Sequence, residues 1–333
     1  MTPALEAEYR NGLENALRAG WDVLNRGGMS LDAVEAAVTW LEDFPLFNAG
    51  RGSVFTHEGK VEMDAAIMDG RTREAGAVAS VCNVQNPVQL ARLVMERTEF
   101  VLLSGEGANE FASQTGVHLQ PDEYFFTEHR WRQYLDARSA GRVQLDHSET
   151  PVAIARPIGT VGAVACDRQG YLAAGTSTGG MTNKRWGRIG DTPMIGAGNY
   201  ADDICAVSCT GHGEYFMRAI TAYDVASRMR YKQAKLSTAA QEAIDVLTEL
   251  KGEGGLIAVD SQGNVYCTGP GGIWVISPHG QRIGTIAFPE QAVNFAFGGD
   301  DLCTLFCCAH TSVYTLRVRI PGNPHPWYRL RKR

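Results

Sequence analysis

A four-layer αββα sandwich of the α+β class is what this 333-residue sequence predicts, and three observations lead there. Two opening stretches carry apolar residues at helical spacing. Short β-rich runs then cluster between glycine turns, and a later pair of helical stretches is followed by another strand. Strand clusters alternating with helix clusters fit sheets stacked face to face under outer helices. With 44% hydrophobic and 20% charged residues, the chain can bury a substantial core.

From Ala4 to Asn25, Leu5, Tyr9, Leu13, Leu17, Trp21 and Leu24 recur at three- and four-residue steps, which predicts an amphipathic helix ended by Gly27 and Gly28. Ser30 reads as the N-cap of a second helix through Leu31, Val34, Val38 and Leu41, stopped by Pro45. Asn48 to Gly52 is a glycine-punctuated turn into a strand at Ser53 to Thr56, with Val61 to Met68 as its hairpin partner. Ala75 to Val84 reads as a strand, Asn86-Pro87 as a helix start, Val88 to Arg97 as a helix, and Val101 to Leu103 as a strand before a turn at Gly105-Glu106-Gly107. A short helix at Phe125 to Ala137 precedes a polar segment, about 138–159, expected to be a mobile linker. Strands follow at Val161 to Cys166, Leu172 to Thr176 and Ala206 to Cys209, helices at Gly213 to Tyr231 and Thr238 to Leu250, and a strand at Gly255 to Asp260.

A net charge of -6 gives no electrostatic footprint for nucleic acid or an anionic membrane, so the expected partner is a small molecule. No window has the apolar length of a membrane span, and Met1 to Glu8 lack the basic start and apolar run of a secretory signal, so a cytoplasmic setting is expected. The eight cysteines follow no paired CxxC spacing and read as buried reduced thiols.

Chemistry concentrates at Ile158-Gly159-Thr160-Val161-Gly162-Ala163-Val164-Ala165, a strand entered by a glycine followed by threonine. Cutting before Thr160 would place hydroxyl and α-amine on one residue, and an α-amine titrates near roughly 7.7 to 8.0. One residue then supplies nucleophile and base. An exposed linker just upstream is where a chain can be cut and drawn away from the new terminus.

Around this strand stand Thr176-Ser177-Thr178-Gly179-Gly180-Met181-Thr182-Asn183-Lys184, then Gly187-Arg188-Ile189-Gly190-Asp191-Thr192-Pro193, and Ser208-Cys209-Thr210-Gly211-His212-Gly213-Glu214. With Asn48 to Phe55 and Met63-Asp64-Ala65-Ala66-Ile67-Met68-Asp69-Gly70, they resemble the plant-type asparaginase / isoaspartyl aminopeptidase family over about 1–262. The resemblance implies an N-terminal-nucleophile hydrolase that cuts itself at Gly159-Thr160 into an α segment, 1–159, and a β segment, 160–333, the sandwich portion of the latter being 160–262. It implies hydrolysis of L-asparagine and β-aspartyl (isoaspartyl) dipeptides to aspartate by a dimer of αβ units, with no cofactor for catalysis.

By the same resemblance Thr160 is the nucleophile and Thr178 orients it, while Arg188 and Asp191 hold the substrate's α-carboxylate and α-amine. The residue types suit this: guanidinium forks bind carboxylates with two bonds, and a carboxylate accepts from ammonium. An ordinary ion pair between Arg188 and Asp191 is the alternative reading of their spacing. Thr210 and Gly211 fall at the oxyanion positions, and Asn48 at the surroundings of the nucleophile. His212 reads as structural, and Asp64 and Asp69 as framework acids. The carbonyls of Leu41, Glu42, Phe44, Phe47, Ala49 and Arg51 fall where the family wraps a structural sodium ion, and oxygen ligands suit such a hard cation.

Two features depart from the family pattern. Members usually open with a strand bearing a His-Gly-Gly-Ala-Gly run, whereas this sequence starts at the following helix, so the sandwich is expected to lack that strand. From about 263 to 333, Gly263 to Val275, Asn294 to Asp301 and Thr311 to Tyr314 resemble the closing blade of a gluconolactonase-like β-propeller, which implies a strand-rich appendage. The rivals to the amidohydrolase are a glycosylasparaginase-like or endoprotease relative, and an unprocessed, inactive fusion relic or lactone-binding fragment.

Overall fold

The computed structural model describes residues 2–144 and 159–261, and beyond them six backbone strands between 265 and 317. Most of the expected linker, 145–158, lies outside the described residues. The chain divides into two compact units, 1–263 and 264–333.

The first unit opens with Pro3–Asn25 (α1), capped by the Thr2 hydroxyl accepting from the Leu5 amide at 3.3 Å. Its most buried positions are Tyr9, Gly12, Ala16 and Gly20, with Leu5, Leu13 and Leu24 of the predicted stripe packed half-buried against the same core and Leu17 exposed. Small side chains win because the neighbouring helix approaches closely: a Cβ on Gly20 would stand 2.9 Å from the Ala33 carbonyl oxygen. That neighbour, Ser30–Asp43 (α2), has no side-chain cap of its own. Ser30 is its first residue rather than its cap, and the Ser30 amide donates to Asp167 at 3.2 Å, a carboxylate 137 residues away. The negative charge also suits the helix N-terminus.

After a 3-10 turn at Gly50–Gly52, the predicted Ser53–Thr56 hairpin shrinks to one bridge between Phe55 and Val61. Met63–Asp69 (β1) pairs instead with Ala75–Val81 (β2) and with Leu172–Thr178 (β5), which takes both its edges. Pro87–Arg97 (α3) follows, and the Asn86 side chain does not cap it but donates to Asp43 at 3.0 Å. Glu42 caps α3 instead, accepting from the Val88 amide at 3.0 Å. Burial pushes the Glu42 carboxyl up to about 8.

Leu102–Ser104 (β3) leads into Gly105–Thr115 (α4), where a glycine turn was expected. Burial of Ala108 and Ala112 on one face outweighs the low helix propensity of Gly105 and Gly107. Asp122–Phe125 (α5) and Glu128–Ser139 (α6) complete the first segment. The first sheet closes with Val161–Cys166 (β4) against β5, in the order β3-β2-β1-β5-β4.

The second sheet of this unit holds Asn199–Ala201 (β6), Cys205–Gly211 (β7) and Gly254–Asp260 (β8), paired antiparallel. The long helix expected from Gly213 divides into Gly213–Ala219 (α7) and Thr221–Lys232 (α8), since Ile220 takes φ +50° and the Ala222 and Tyr223 amides turn to the carbonyls of Ala197 and Gly196. Leu236–Glu249 (α9) follows. One apolar cluster joins α1, α2 and α3 to the first sheet and a second joins α8 and α9 to β7 and β8, with the two sheets between them. This is the four-layer αββα arrangement.

Between the sheets the contact is partly polar. The Thr176 and Ser208 hydroxyls lie 2.7 Å apart, and Asn199 donates to Thr176 at 3.0 Å. Gly162 makes the approach possible, because a Cβ there would lie 2.0 Å from Ser208 Oγ. Gly162→Ala is therefore expected to destabilise the fold by about 1–3 kcal/mol as an overpacked core. Thermal unfolding checks it, and Ser208→Gly in the same chain should recover most of the loss; additive losses would refute the clash.

In the second unit, Val265–Gly269 (β9), Gly272–Ile276 (β10) and Arg282–Ile286 (β11) pair antiparallel in sequence. Ala292–Gly298 (β12), Thr304–Ala309 (β13) and Val313–Arg317 (β14) form a second antiparallel run.

Candidate active site

Thr160 stands at the entry to β4, and the β4–β5 register, Val161 opposite Ser177, brings its hydroxyl beside that of Thr178 at 2.9 Å. The Thr178 hydroxyl also accepts from the Gly180 amide at 3.0 Å, which leaves its own proton free to point at Thr160. Asn48 clasps this turn from the far side. Its side-chain amide donates to the Gly180 carbonyl at 2.8 Å, its carbonyl Oδ1 accepts from Val54 at 3.1 Å, and its backbone carbonyl accepts from Gly179 at 3.1 Å. A Cβ on Gly179 would sit 2.6 Å from Asn48 Oδ1, so glycine is what lets the clasp close.

One cavity is lined by Asn48, Gly159, Thr160 and Thr178 together with Arg188, Asp191, Thr210 and Gly211. Gly159, directly before Thr160, is buried in that lining. The fold brings together groups from five separate sequence motifs. Gly211 has φ +147°, and a Cβ there would lie 2.3 Å from the Glu253 carbonyl oxygen and 2.8 Å from the Phe216 ring, so the neighbouring β8 segment demands this glycine.

Arg188 and Asp191 do not form the ion pair that their spacing allowed. Arg188 is instead held by Glu214, Nε to Oε1 at 2.9 Å and Nη2 to Oε2 at 3.0 Å. Asp191 is buried, and its Oδ2 has no hydrogen-bond partner. Burial pushes the Asp191 carboxyl up to about 7, against the pull of Arg188 in the other direction. Glu214 was present in the Thr210-Gly211-His212-Gly213-Glu214 motif, but nothing in a separation of 26 residues marked it as the partner of Arg188.

His212 packs its ring against Tyr215 at 5.7 Å and lies outside the cavity lining. Asp64 accepts from the Ser80 amide at 2.8 Å and Asp69 from that of Arg71 at 2.8 Å, both framework roles. Cys82, Cys166, Cys205 and Cys209 are free thiols, and burial raises all four above the usual thiol range.

The loop expected to hold sodium has the donor chemistry for it. A Cβ on Gly50 would lie 2.3 Å from the Glu42 carbonyl oxygen and one on Gly52 would lie 2.0 Å from that of Phe47, so these oxygens turn into a cradle that only glycine leaves open. The Leu41, Phe44 and Ala49 carbonyls each accept one backbone amide and retain a second lone pair. Nearby, the buried Arg130 guanidinium donates to the Gly52 and Leu46 carbonyls at 2.7 and 3.1 Å, so a positive charge already braces this loop.

Residues 1–274 match the family model described as asparaginase. The chain belongs to the asparaginase family. The match runs past residue 262 into the segment that resembled a propeller blade, so the family region extends further than the motifs alone indicated. Among relatives of this asparaginase-family chain, an isoaspartyl peptidase of Salmonella typhimurium is 49% identical over 267 residues, covering 80% of this chain and 85% of the relative. An isoaspartyl peptidase of Escherichia coli K12 is 49% identical over 262 residues, covering 78% and 82%. An isoaspartyl peptidase/L-asparaginase of Xenopus laevis is 44% identical over 261 residues, covering 78% and 82%. Among the described residues no helix is long and apolar enough to cross a membrane.

Proposed function

We propose that this asparaginase-family chain is a threonine amidohydrolase that releases aspartate from β-aspartyl dipeptides and L-asparagine after cutting itself between Gly159 and Thr160. The observation that carries the reading is the Thr160–Thr178 hydroxyl pair, 2.9 Å apart, in a cavity also lined by a cation at Arg188 and a buried carboxyl at Asp191. A nucleophile shares the cavity with a clamp for a zwitterion. The relatives named isoaspartyl peptidase support the same chemistry.

Once Thr160 is N-terminal, its α-amine takes the hydroxyl proton as Oγ1 attacks the side-chain amide carbonyl of the substrate. The Thr210 hydroxyl and the Gly211 amide, both in the cavity lining, would donate to the developing oxyanion, a role worth on the order of 10²–10³ in kcat per donor. The ammonium of Thr160 returns the proton to the departing ammonia or amino acid. Water then attacks the β-aspartyl ester of Thr160, with the same amine as base, and aspartate leaves. Arg188 would take the α-carboxylate and Asp191 the α-ammonium throughout. A sodium ion in the 41–51 carbonyl cradle would fix the loop that carries Asn48. A cytoplasmic dimer of αβ units completes the proposal.

Purified protein should migrate on a denaturing gel as two fragments summing to 36.2 kDa and should release aspartate from both a β-aspartyl dipeptide and L-asparagine. One intact band with no aspartate from either compound would overturn the reading, and release only from a glycosylated asparagine would move the activity to the glycosylasparaginase branch.

A further inference from the structure

Arg188 is placed by its partner before any substrate arrives. Its Nε and Nη2 each donate to one oxygen of Glu214, at 2.9 and 3.0 Å, a two-bond fork that fixes both the plane and the rotation of the guanidinium. Five N–H groups belong to an arginine, so this fork leaves the two on Nη1 and one on Nη2. The unused edge faces the cavity. A Cβ on Gly190 would stand 2.8 Å from Nη1, and one on Gly180 would stand 3.7 Å from it; both glycines line the cleft. Gly213 packs behind, where a Cβ would come within 2.9 Å of Nη2 and 2.8 Å of the Asp191 amide nitrogen. The missing side chains at Gly180, Gly190 and Gly213 give the guanidinium its space, so its orientation is left to the Glu214 fork.

We propose that Glu214 is a positioning residue which, by occupying the Nε–Nη2 edge of Arg188, turns the opposite edge into a preset seat for the α-carboxylate of an aspartyl substrate. The proposal rests on the substrate reading above and adds a residue that reading does not use. Glu214 does not touch the reacting amide. Its own carboxylate stays ionised: burial raises it, but the hydrogen bonds and charge of Arg188 outweigh that and leave it below the usual range. Two opposed effects follow from its charge. It cancels part of the long-range pull of Arg188 on an anion, and it removes the rotational freedom that a long side chain would otherwise lose on binding. A two-bond fork is directional, and a misaligned guanidinium keeps at most one bond, so orientation dominates.

The test compares compounds that differ only in the α-carboxylate, on the processed enzyme. For Glu214→Ala, KM for L-asparagine should rise roughly 10–100-fold, the range for a charge-assisted hydrogen bond, with kcat within about threefold. The inhibition constant of L-aspartate should rise in parallel, while that of β-alanine, the same molecule without the α-carboxylate, should stay within about twofold. Glu214→Gln keeps one acceptor for Nε and should fall between. Equal shifts for aspartate and β-alanine would mean a general disturbance of the cleft and overturn the proposal. Unchanged or tighter aspartate binding in Glu214→Gln would show that charge cancellation outweighs orientation and overturn it too. Wild-type protein without turnover of any aspartyl amide would instead remove the substrate reading itself, whereas a failure confined to the Glu214 variants leaves that reading standing.

Discussion

Thr160→Ala is expected to run on a denaturing gel as one 36.2 kDa band and to lose amide hydrolysis by on the order of 10⁴-fold or more. Two losses coincide in this variant. Alanine has no oxygen to attack the Gly159 carbonyl, so the chain should stay joined, with Gly159 still in the cavity lining. The attacking group for substrate is gone as well. A second substitution separates the effects: Thr160→Ser keeps a hydroxyl beside Thr178 and should still divide into two fragments, though more slowly, because serine lacks the methyl that restricts χ1. The fold should survive, since Thr160 precedes β4 and is not part of the apolar cluster, which Val161 joins as the first residue of that strand. Two bands from Thr160→Ala, or ammonia released at the wild-type rate, would remove Thr160 from the chemistry.

Asp191→Asn should raise KM for L-asparagine by roughly 10–150-fold, since a hydrogen bond to a charged group contributes about 1.5–3 kcal/mol and a neutral amide cannot balance an ammonium. The same residue sets an acid limit. With its carboxyl pushed up to about 7 by burial, Asp191 is ionised only above that pH, and each unit below it should cost nearly tenfold in kcat/KM for the wild type. Asp191→Asn should lose this limb. Stability moves the other way. A carboxyl whose folded value lies above its ordinary 3.8 favours unfolding once the unfolded chain ionises, so the penalty grows as pH rises from about 4 to 7 and is complete above. The Asn variant should therefore gain in thermal stability relative to wild type more at pH 8 than at pH 4. A pH profile with an unchanged acid limb in Asp191→Asn would assign that limb to another group.

Much of the fold was legible because periodicity is a local signal. The apolar spacing in 4–25, 30–41 and 238–250 marked helices that the structure holds at 3–25, 30–43 and 236–249, and the β-rich runs at 75–84, 161–166 and 172–176 marked strands, since each run must bury one face whatever it packs against. Where local and long-range demands differ, the reading changed. Gly105 and Gly107 argued for a turn, yet packing of Ala108 and Ala112 made it a helix. Helical spacing ran unbroken through Ile220, yet the carbonyls of Gly196 and Ala197 captured the next amides and split it.

The cavity residues could be named from motifs, because each motif keeps its residue types at fixed local offsets. Their partners could not. Whether Arg188 pairs with Asp191 or Glu214 depends on which side of the guanidinium α7 starts, and three residues of separation favoured the wrong choice.

By itself the sequence determined which residue types are available for the chemistry: a threonine after a glycine, a hydroxyl to stand beside it, an arginine and an aspartate for a zwitterion. Tertiary structure alone decided their states: Asp191 near neutrality because it is buried, Arg188 turned by Glu214, and helices α2 and α3 capped by Asp167 and Glu42 instead of by their own first residues. The reason is that residue type and local spacing are written along the chain, whereas desolvation and hydrogen-bond geometry depend on neighbours that meet only after folding.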